Sequence, residues 1–183
     1  MQKKILVCIF LVLFACSKTE KLLICNFNST QRMNALGGEF GSWNKDPNDT
    51  TQFCEEAIVN GRGGNVLQLS YDVDSQNPAY NGLWMKLQGA DLSNYKKLTL
   101  WIKGDELNGY PDCIKIELKN QKGEKGSYTL SGITSEWQKV EIPLKDFSPS
   151  LDLSKITELV FVFSDILCQP KMGTIYIDDI CAE

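Results

Sequence analysis

Histidine is missing altogether from the 183 residues. With it go His-ligated metal centres and the imidazole acid–base chemistry that enzymes use most often. No Cys-x-x-Cys pair occurs, which removes the zinc-ribbon and thioredoxin-like readings of the seven cysteines. A basic excess is lacking too. The chain has 19 Lys and Arg against 23 Asp and Glu, a net charge of −4, whereas nucleic-acid binders carry a basic patch. No apolar run reaches the roughly 20 residues of a spanning helix; residues 5–14 supply about half of that. Nowhere does a helical hydrophobic period persist over three turns. Gly61-Arg62-Gly63-Gly64-Asn65 has neither the Lys-Ser/Thr pair nor the following helix of a phosphate loop, so it reads as a turn. What is present is an ordinary apolar content of 43% in a length that suits one domain.

The short apolar run has a meaning of its own. Lys3 and Lys4 precede it, and it ends at Leu13-Phe14-Ala15-Cys16. This order resembles a bacterial lipoprotein signal peptide, in which a small residue precedes the cysteine that is acylated and becomes the new N-terminus. Residues 1–16 are therefore expected to be the signal with lipidated Cys16, residues 17–21 a short tether, and residues 22–183 the folded domain. The expected location is the cell envelope, lipid-anchored to a membrane; Ser17 after the cysteine, in place of Asp, directs enteric-type sorting to the outer membrane. Export permits disulfides. Cys25, Cys54, Cys113, Cys168 and Cys181 remain once Cys8 and Cys16 are set aside, an odd number that leaves at least one thiol free.

Organisation centres on residues 98–120. Leu98, Leu100 and Ile102 alternate with Thr99, Trp101 and Lys103; Ile114, Ile116 and Leu118 alternate with Cys113, Lys115, Glu117 and Lys119. A period of two with one apolar side is a half-buried strand, and the two runs read as antiparallel neighbours. Further strands are expected at residues 22–27, 51–59, 66–73, 82–87, 126–133, 137–144, 159–164 and 173–180, with residues 28–48 as one long loop. Pro143 suits an edge strand, where no ladder donor is needed. Leu159–Ser164 is nearly continuous in apolar residues, as in a strand covered on both faces. Many short strands with turn signals between them give an all-β fold, an antiparallel β-sandwich or jelly roll, its first and last strands paired.

Leu83-Trp84-Met85-Lys86-Leu87, the stretch from Leu92 to Asp105 with Lys103-Gly104-Asp105, Lys115-Ile116-Glu117-Leu118-Lys119-Asn120, Trp137 to Phe147 and Ile175-Tyr176-Ile177-Asp178-Asp179-Ile180 together resemble galactose-binding-like jelly rolls. The likeness is strongest to family 11 carbohydrate-binding modules, and extends to the intermediate-associated protein domain of complex I assembly factors. It implies a β-glucan-type or related polysaccharide lying across a sheet, with no catalytic residues. Trp84, Lys86, Trp101, Lys103, Glu117 and Lys119 would share one outward face, Asp165 would reach the same cleft and Tyr80 would wall it. Alternatively, the loop around Trp43 covers this face and Lys86 with Glu117 forms a buried ion pair. The resemblance also implies a structural calcium ion between Asp46, Asn48 and Asp49 of the early loop and Asp178 and Asp179 of the last strand, a hard cation that needs ~6–8 oxygens.

Two other functions compete with glycan binding: a glycoside hydrolase using Glu117 and Asp165, and an envelope scaffold whose partner is another protein. Disulfide candidates are Cys113 with Cys168, at one rim if their strands are antiparallel neighbours, and Cys25 with Cys181, where strand register decides. The expectation for Cys16 has a direct test. Cys16→Ser should yield unprocessed or soluble protein in membrane fractionation and lose label in a fatty-acid incorporation assay; an equally processed, membrane-bound variant would refute the lipobox.

Overall fold

The computed structural model describes residues 21–29, 31–147 and 150–183; Cys16 and the tether before Lys21 lie outside them. The described residues form eleven strands: β1 Leu22–Cys25, β2 Phe40–Asn44, β3 Phe53–Gly61, β4 Gly64–Asp72, β5 Tyr80–Ala90, β6 Lys97–Gly104, β7 Cys113–Asn120, β8 Lys125–Ser131, β9 Gln138–Pro143, β10 Ile156–Ser164 and β11 Met172–Ala182. Single 3-10 turns occur at Leu144–Asp146 and Leu153–Lys155. One sheet runs β3-β4-β11-β6-β9 with β1 also on β11; the other runs β2-β5-β10-β7-β8. Every pairing is antiparallel, so the β-sandwich expected from the strand patterns is the fold.

Alternation builds the core. Leu67, Leu69 and Tyr71 of β4, Leu98, Leu100 and Ile102 of β6, and Ile175 and Ile177 of β11 face inward from the first sheet. Leu83, Met85 and Leu87 of β5, Ile114, Ile116 and Leu118 of β7, and Leu159, Phe161 and Phe163 of β10 oppose them from the second. All are essentially inaccessible to water. Tyr71 and Phe163 stack in parallel across the two sheets at 4.3 Å, and the Tyr71 hydroxyl donates to the Pro170 carbonyl at 2.6 Å. Each buried aliphatic or aromatic side chain contributes about 1.5–3 kcal/mol.

Several expectations change. β6 and β7 are not neighbours: each belongs to a different sheet, because the 105–112 connection carries the chain over the end of the sandwich. β8 and β9 separate in the same way. The early loop contains a strand, β2, which pairs with β5 from Phe40↔Met85 to Asn44↔Asn81. β1 does pair with β11, and β9 with Pro143 is an edge.

Neither disulfide forms; all five described cysteines are free thiols. A bulge sets Cys25 opposite Ile180, while Leu23 takes the place opposite Cys181. β7 and β10 are neighbours, and Cys113 and Cys168 do share a rim. Each thiol, however, is turned onto a carbonyl: Cys113 Sγ donates to Leu167 O at 3.2 Å and Cys168 Sγ to Cys113 O at 3.5 Å. Burial pushes the Cys168 thiol up to about 12, which leaves little reactive thiolate.

Phe161, central in its sheet and fully buried, is the most sensitive core position. Phe161→Ala should cost about 3–5 kcal/mol in urea unfolding through the cavity it leaves. A loss below 1 kcal/mol would show that the two sheets do not pack through this residue.

Candidate binding groove

The outward face of the second sheet is organised in rows set by strand register. Lys86, Glu158, Lys119 and Lys125 lie side by side across β5, β10, β7 and β8. The next row is Gly41, Trp84, Val160, Glu117 and Ser127, and the next Trp43, Gly82, Val162, Lys115 and Thr129. Tyr80 and Ser164 follow at the rim. These rows bound a groove of about 1100 Å³. Its floor is Val160 and Val162, only 3% and 5% exposed although they point away from the core.

The aromatic wall stands on β2 and β5. The Trp84 indole lies across Gly41, where an added Cβ would meet the ring at 3.2 Å, a tight contact. Trp43 meets Tyr80 edge-on at 5.7 Å, and Lys45 caps Tyr80 with its ammonium 5.2 Å from the ring centre. Lys86 Nζ lies 5.7 Å from the Trp84 ring.

The polar wall is two clamps. Glu158 accepts from Lys86 and, at 2.9 Å, from Lys119. Glu117 accepts from Lys115 at 2.9 Å and from Lys125 at 3.1 Å. The two carboxylates are largely buried, their side chains 7% and 18% exposed for Glu117 and Glu158, while the lysines keep a third to a half of their surface in water. Burial drives each carboxyl's pKa up, but the lysine hydrogen bonds and charges outweigh it, so both titrate below the usual 4.5.

Six of the eight expected ligand residues, Tyr80, Trp84, Lys86, Glu117, Lys119 and Asp165, line this groove. Trp101 and Lys103 do not. They belong to β6 and face outward from the opposite sheet, where Arg62 lies 4.1 Å over the Trp101 ring and Lys103 Nζ lies 5.3 Å from the Tyr176 ring. Trp43 lines the groove instead of covering it, and the pairing of Lys86 is with Glu158, not Glu117. Sequence reasoning missed Lys115, Lys125, Glu158, Val160, Val162 and Ile166. Lys115 carried a usable signal, since it shares parity with Glu117 and Lys119.

The hydrolase geometry is not met by its proposed pair. Asp165 lies just beyond the end of β10, five residues from Val160, the position opposite Glu117, a backbone separation of about 16 Å at strand rise, whereas glycosidase carboxyls stand ~5 to ~9.5 Å apart. Asp165 Oδ2 also accepts the Ala79 N–H at 3.1 Å.

The calcium ligands are likewise not one set. Phe53 is opposite Asp72 and Asp72 opposite Met172, so residues 46–52 sit at the Met172 end of β11. Asp178 is six residues away along that strand, about 20 Å. Asp178 and Asp179 face Arg62, at 3.6 and 2.5 Å. Asp49 is taken by hydrogen bonds from Thr51, Gln52, Ser75 and Asn77 at 2.6–3.2 Å, which hold its carboxyl far below the usual range. This carboxylate ties the loop down in the way expected of the ion. Among the described residues no three His, Cys, Asp or Glu side chains converge as a metal site.

The clamps predict an acid response. A carboxyl whose folded pKa is depressed contributes stability that is complete above its unfolded value and is lost as pH falls through the folded one. Stability should therefore decline as pH falls below 4.5, the ordinary value for Glu117 and Glu158. Glu117→Gln should flatten that decline in urea titrations at stepped pH while lowering stability at pH 7. An unchanged acid slope would show that the Glu117 clamp does not form.

Solved structures show the same fold. A family 11 carbohydrate-binding module of a cellulosomal cellulase of Clostridium thermocellum is 21% identical with a TM-score of 0.68, over 91% of this chain and 95% of that one. A family 11 module from the same organism, in complex with a β-1,3-1,4-mixed-linked tetrasaccharide, is 22% identical with a TM-score of 0.67, over 88% and 94%. The CBM22-1 xylan-binding domain of Paenibacillus barcinonensis Xyn10C is 11% identical with a TM-score of 0.51, over 90% and 94%. No curated protein matches the chain. The family model of carbohydrate binding domain 30 matches residues 26–182, nearly the whole folded domain, and the chain belongs to that family.

Proposed function

We propose that the domain binds a β-linked polysaccharide along the outer groove of the β2-β5-β10-β7-β8 sheet, without chemistry, and that a lipid on Cys16 holds it at a membrane of the cell envelope. The observation that carries the reading is the groove itself. An apolar floor of Val160 and Val162 has an aromatic wall of Trp43, Tyr80 and Trp84 on one side and charged hydrogen-bonding groups on the other. A sugar ring has the matching split: its C–H faces pack on indole, and its hydroxyls accept from ammonium groups and donate to carboxylates. Membership of a carbohydrate-binding family and a fold neighbour solved with a β-1,3-1,4-mixed-linked tetrasaccharide support a β-glycan ligand.

Rigidity fits this role. The groove lies on paired strands, so its side chains are held before the ligand arrives and little ordering cost falls on binding. Lipid attachment would turn a modest single-site affinity into capture of glycan at a surface, since many anchored copies engage one chain.

Trp84→Ala should weaken binding to soluble mixed-linkage β-glucan at least tenfold, about 1.4 kcal/mol, by affinity electrophoresis or calorimetry. Lys103→Ala, on the opposite face, should leave it unchanged. Equal loss in both variants would move the site off the groove. Absence of binding across a glycan array, with one protein recovered stoichiometrically on pull-down, would favour the scaffold reading.

A further inference from the structure

The groove is lined by more lysines than carboxylates. Its lining includes Lys86, Lys115, Lys119 and Lys125 against Glu117, Glu158 and Asp165. These charges are not mixed evenly. Asp165 stands at the Tyr80 end, bonded to Ala79 N, and Lys45 lies nearby over Tyr80. Around Trp84 and Val160, the two glutamates are each shared by two lysines. One ammonium neutralises each carboxylate and the other is left over. The carboxylates lie low in the surface and the ammonium ends rise from it, so the side chains that line the groove next to Trp84 carry a surplus of two positive charges, with Glu39 outside the lining on the far side of Trp84, in a chain whose net charge is −4.

The clamps also fix where those charges stand. An ammonium has three donors, and bonding to glutamate uses part of that capacity while holding the chain in place. Lys86 is held beside the Trp84 ring, so a sugar stacked on that indole brings its substituents to a cation. Lys119 and Lys125 stand in the same row, two and three strands from β5.

Resting on the glycan-binding reading, we infer that the ligand is an acidic polysaccharide, with carboxylate or sulfate groups on its sugars that Lys86, Lys119 and Lys125 recognise. A neutral glucan would occupy the aromatic wall and leave the surplus charge facing water. An anionic substituent meets a held ammonium in a groove where apolar floor and aromatic wall lower the local dielectric and strengthen the attraction.

Cello-oligosaccharides and the same oligosaccharides oxidised at C6 to uronates share a backbone and differ in charge, so they isolate this effect; sulfated cello-oligosaccharides distinguish sulfate from carboxylate. In calorimetry with the domain from Lys21 onward, the oligouronide or the sulfated oligomer should bind at least tenfold tighter than the neutral one at low salt. The preference should collapse toward one at about 0.5 M salt, where the screening length falls to a few ångströms. Lys119→Gln with Lys125→Gln should reduce the ratio of acidic to neutral affinity, and the far-UV spectrum and melting temperature of the variant verify that it folds. Equal or tighter binding of the neutral oligomer would overturn the inference and leave the glycan-binding reading standing. No binding of any of the three would overturn both.

Discussion

Everything in this domain hangs on the side-chain period of β10. The strand is the middle of five and is covered on both faces, so its residues have no neutral side. Leu159, Phe161 and Phe163 fill the space between the sheets, while Val160 and Val162 floor the groove. A slip of one residue in pairing would exchange these sets. Three large side chains would leave the core and enter a groove shaped for two valines, and the Tyr71–Phe163 stack across the sheets would be lost. The register that stabilises the fold is therefore the register that builds the site. Both neighbouring strands take their outward rows from it: Trp84 and Glu117 face each other across Val160, and Lys86 and Lys119 across Glu158.

How the two faces handle charge separates the site from its opposite. On the first sheet's outer surface, Arg62 lies over the Trp101 ring and is itself held by Asp178 and Asp179, so one cation there meets two carboxylates. On the second sheet the ratio is reversed: each of the buried carboxylates Glu117 and Glu158 is shared by two lysines. Taking Glu117 and Glu158 out of water is costly, and one lysine each would only offset it. Two lysines each overcompensate and remain accessible. Counting aromatic and charged residues ranks the two faces alike; the ratio of cations to buried carboxylates tells them apart.

Much of the fold was legible because alternation reports facing directly. Nearly every core residue of β4, β5, β6, β7 and β11 follows from the period of two in its own run. Partnership was not legible, because period carries no information about which strand lies alongside. Thus β6 and β7 looked like a hairpin and are in separate sheets, and Trp101 and Lys103 were placed with Glu117 although the sandwich stands between them. β2 was hidden by its composition: Phe40, Gly41, Ser42, Trp43 and Asn44 show no alternation, since Gly41 lies beneath the Trp84 ring and Trp43 turns toward the groove. Glu158, Val160 and Val162 were obscured differently. A strand buried on both faces has no contrast to read, and a groove floor is apolar for the same reason as a core.

The distribution of the site along the chain follows from this architecture. The aromatic wall comes from β2 and β5, the floor from β10 and the lysines mostly from β7 and β8, so the groove is assembled from residues 43 to 166. Strand order places these segments side by side, although β5 and β10 are separated by some seventy residues of sequence. β5 alone contributes to both walls, through Trp84 and Lys86; the remaining clamp residues come from β7, β8 and β10. A ligand spanning from the aromatic wall to β8 crosses three to four strand spacings, about 14–19 Å, while most of the residues it meets are far apart in the sequence. That is why strand parity in the sequence gathered Trp84, Lys86, Glu117 and Lys119 but also drew in Trp101 and Lys103, and why sheet order is needed to separate them.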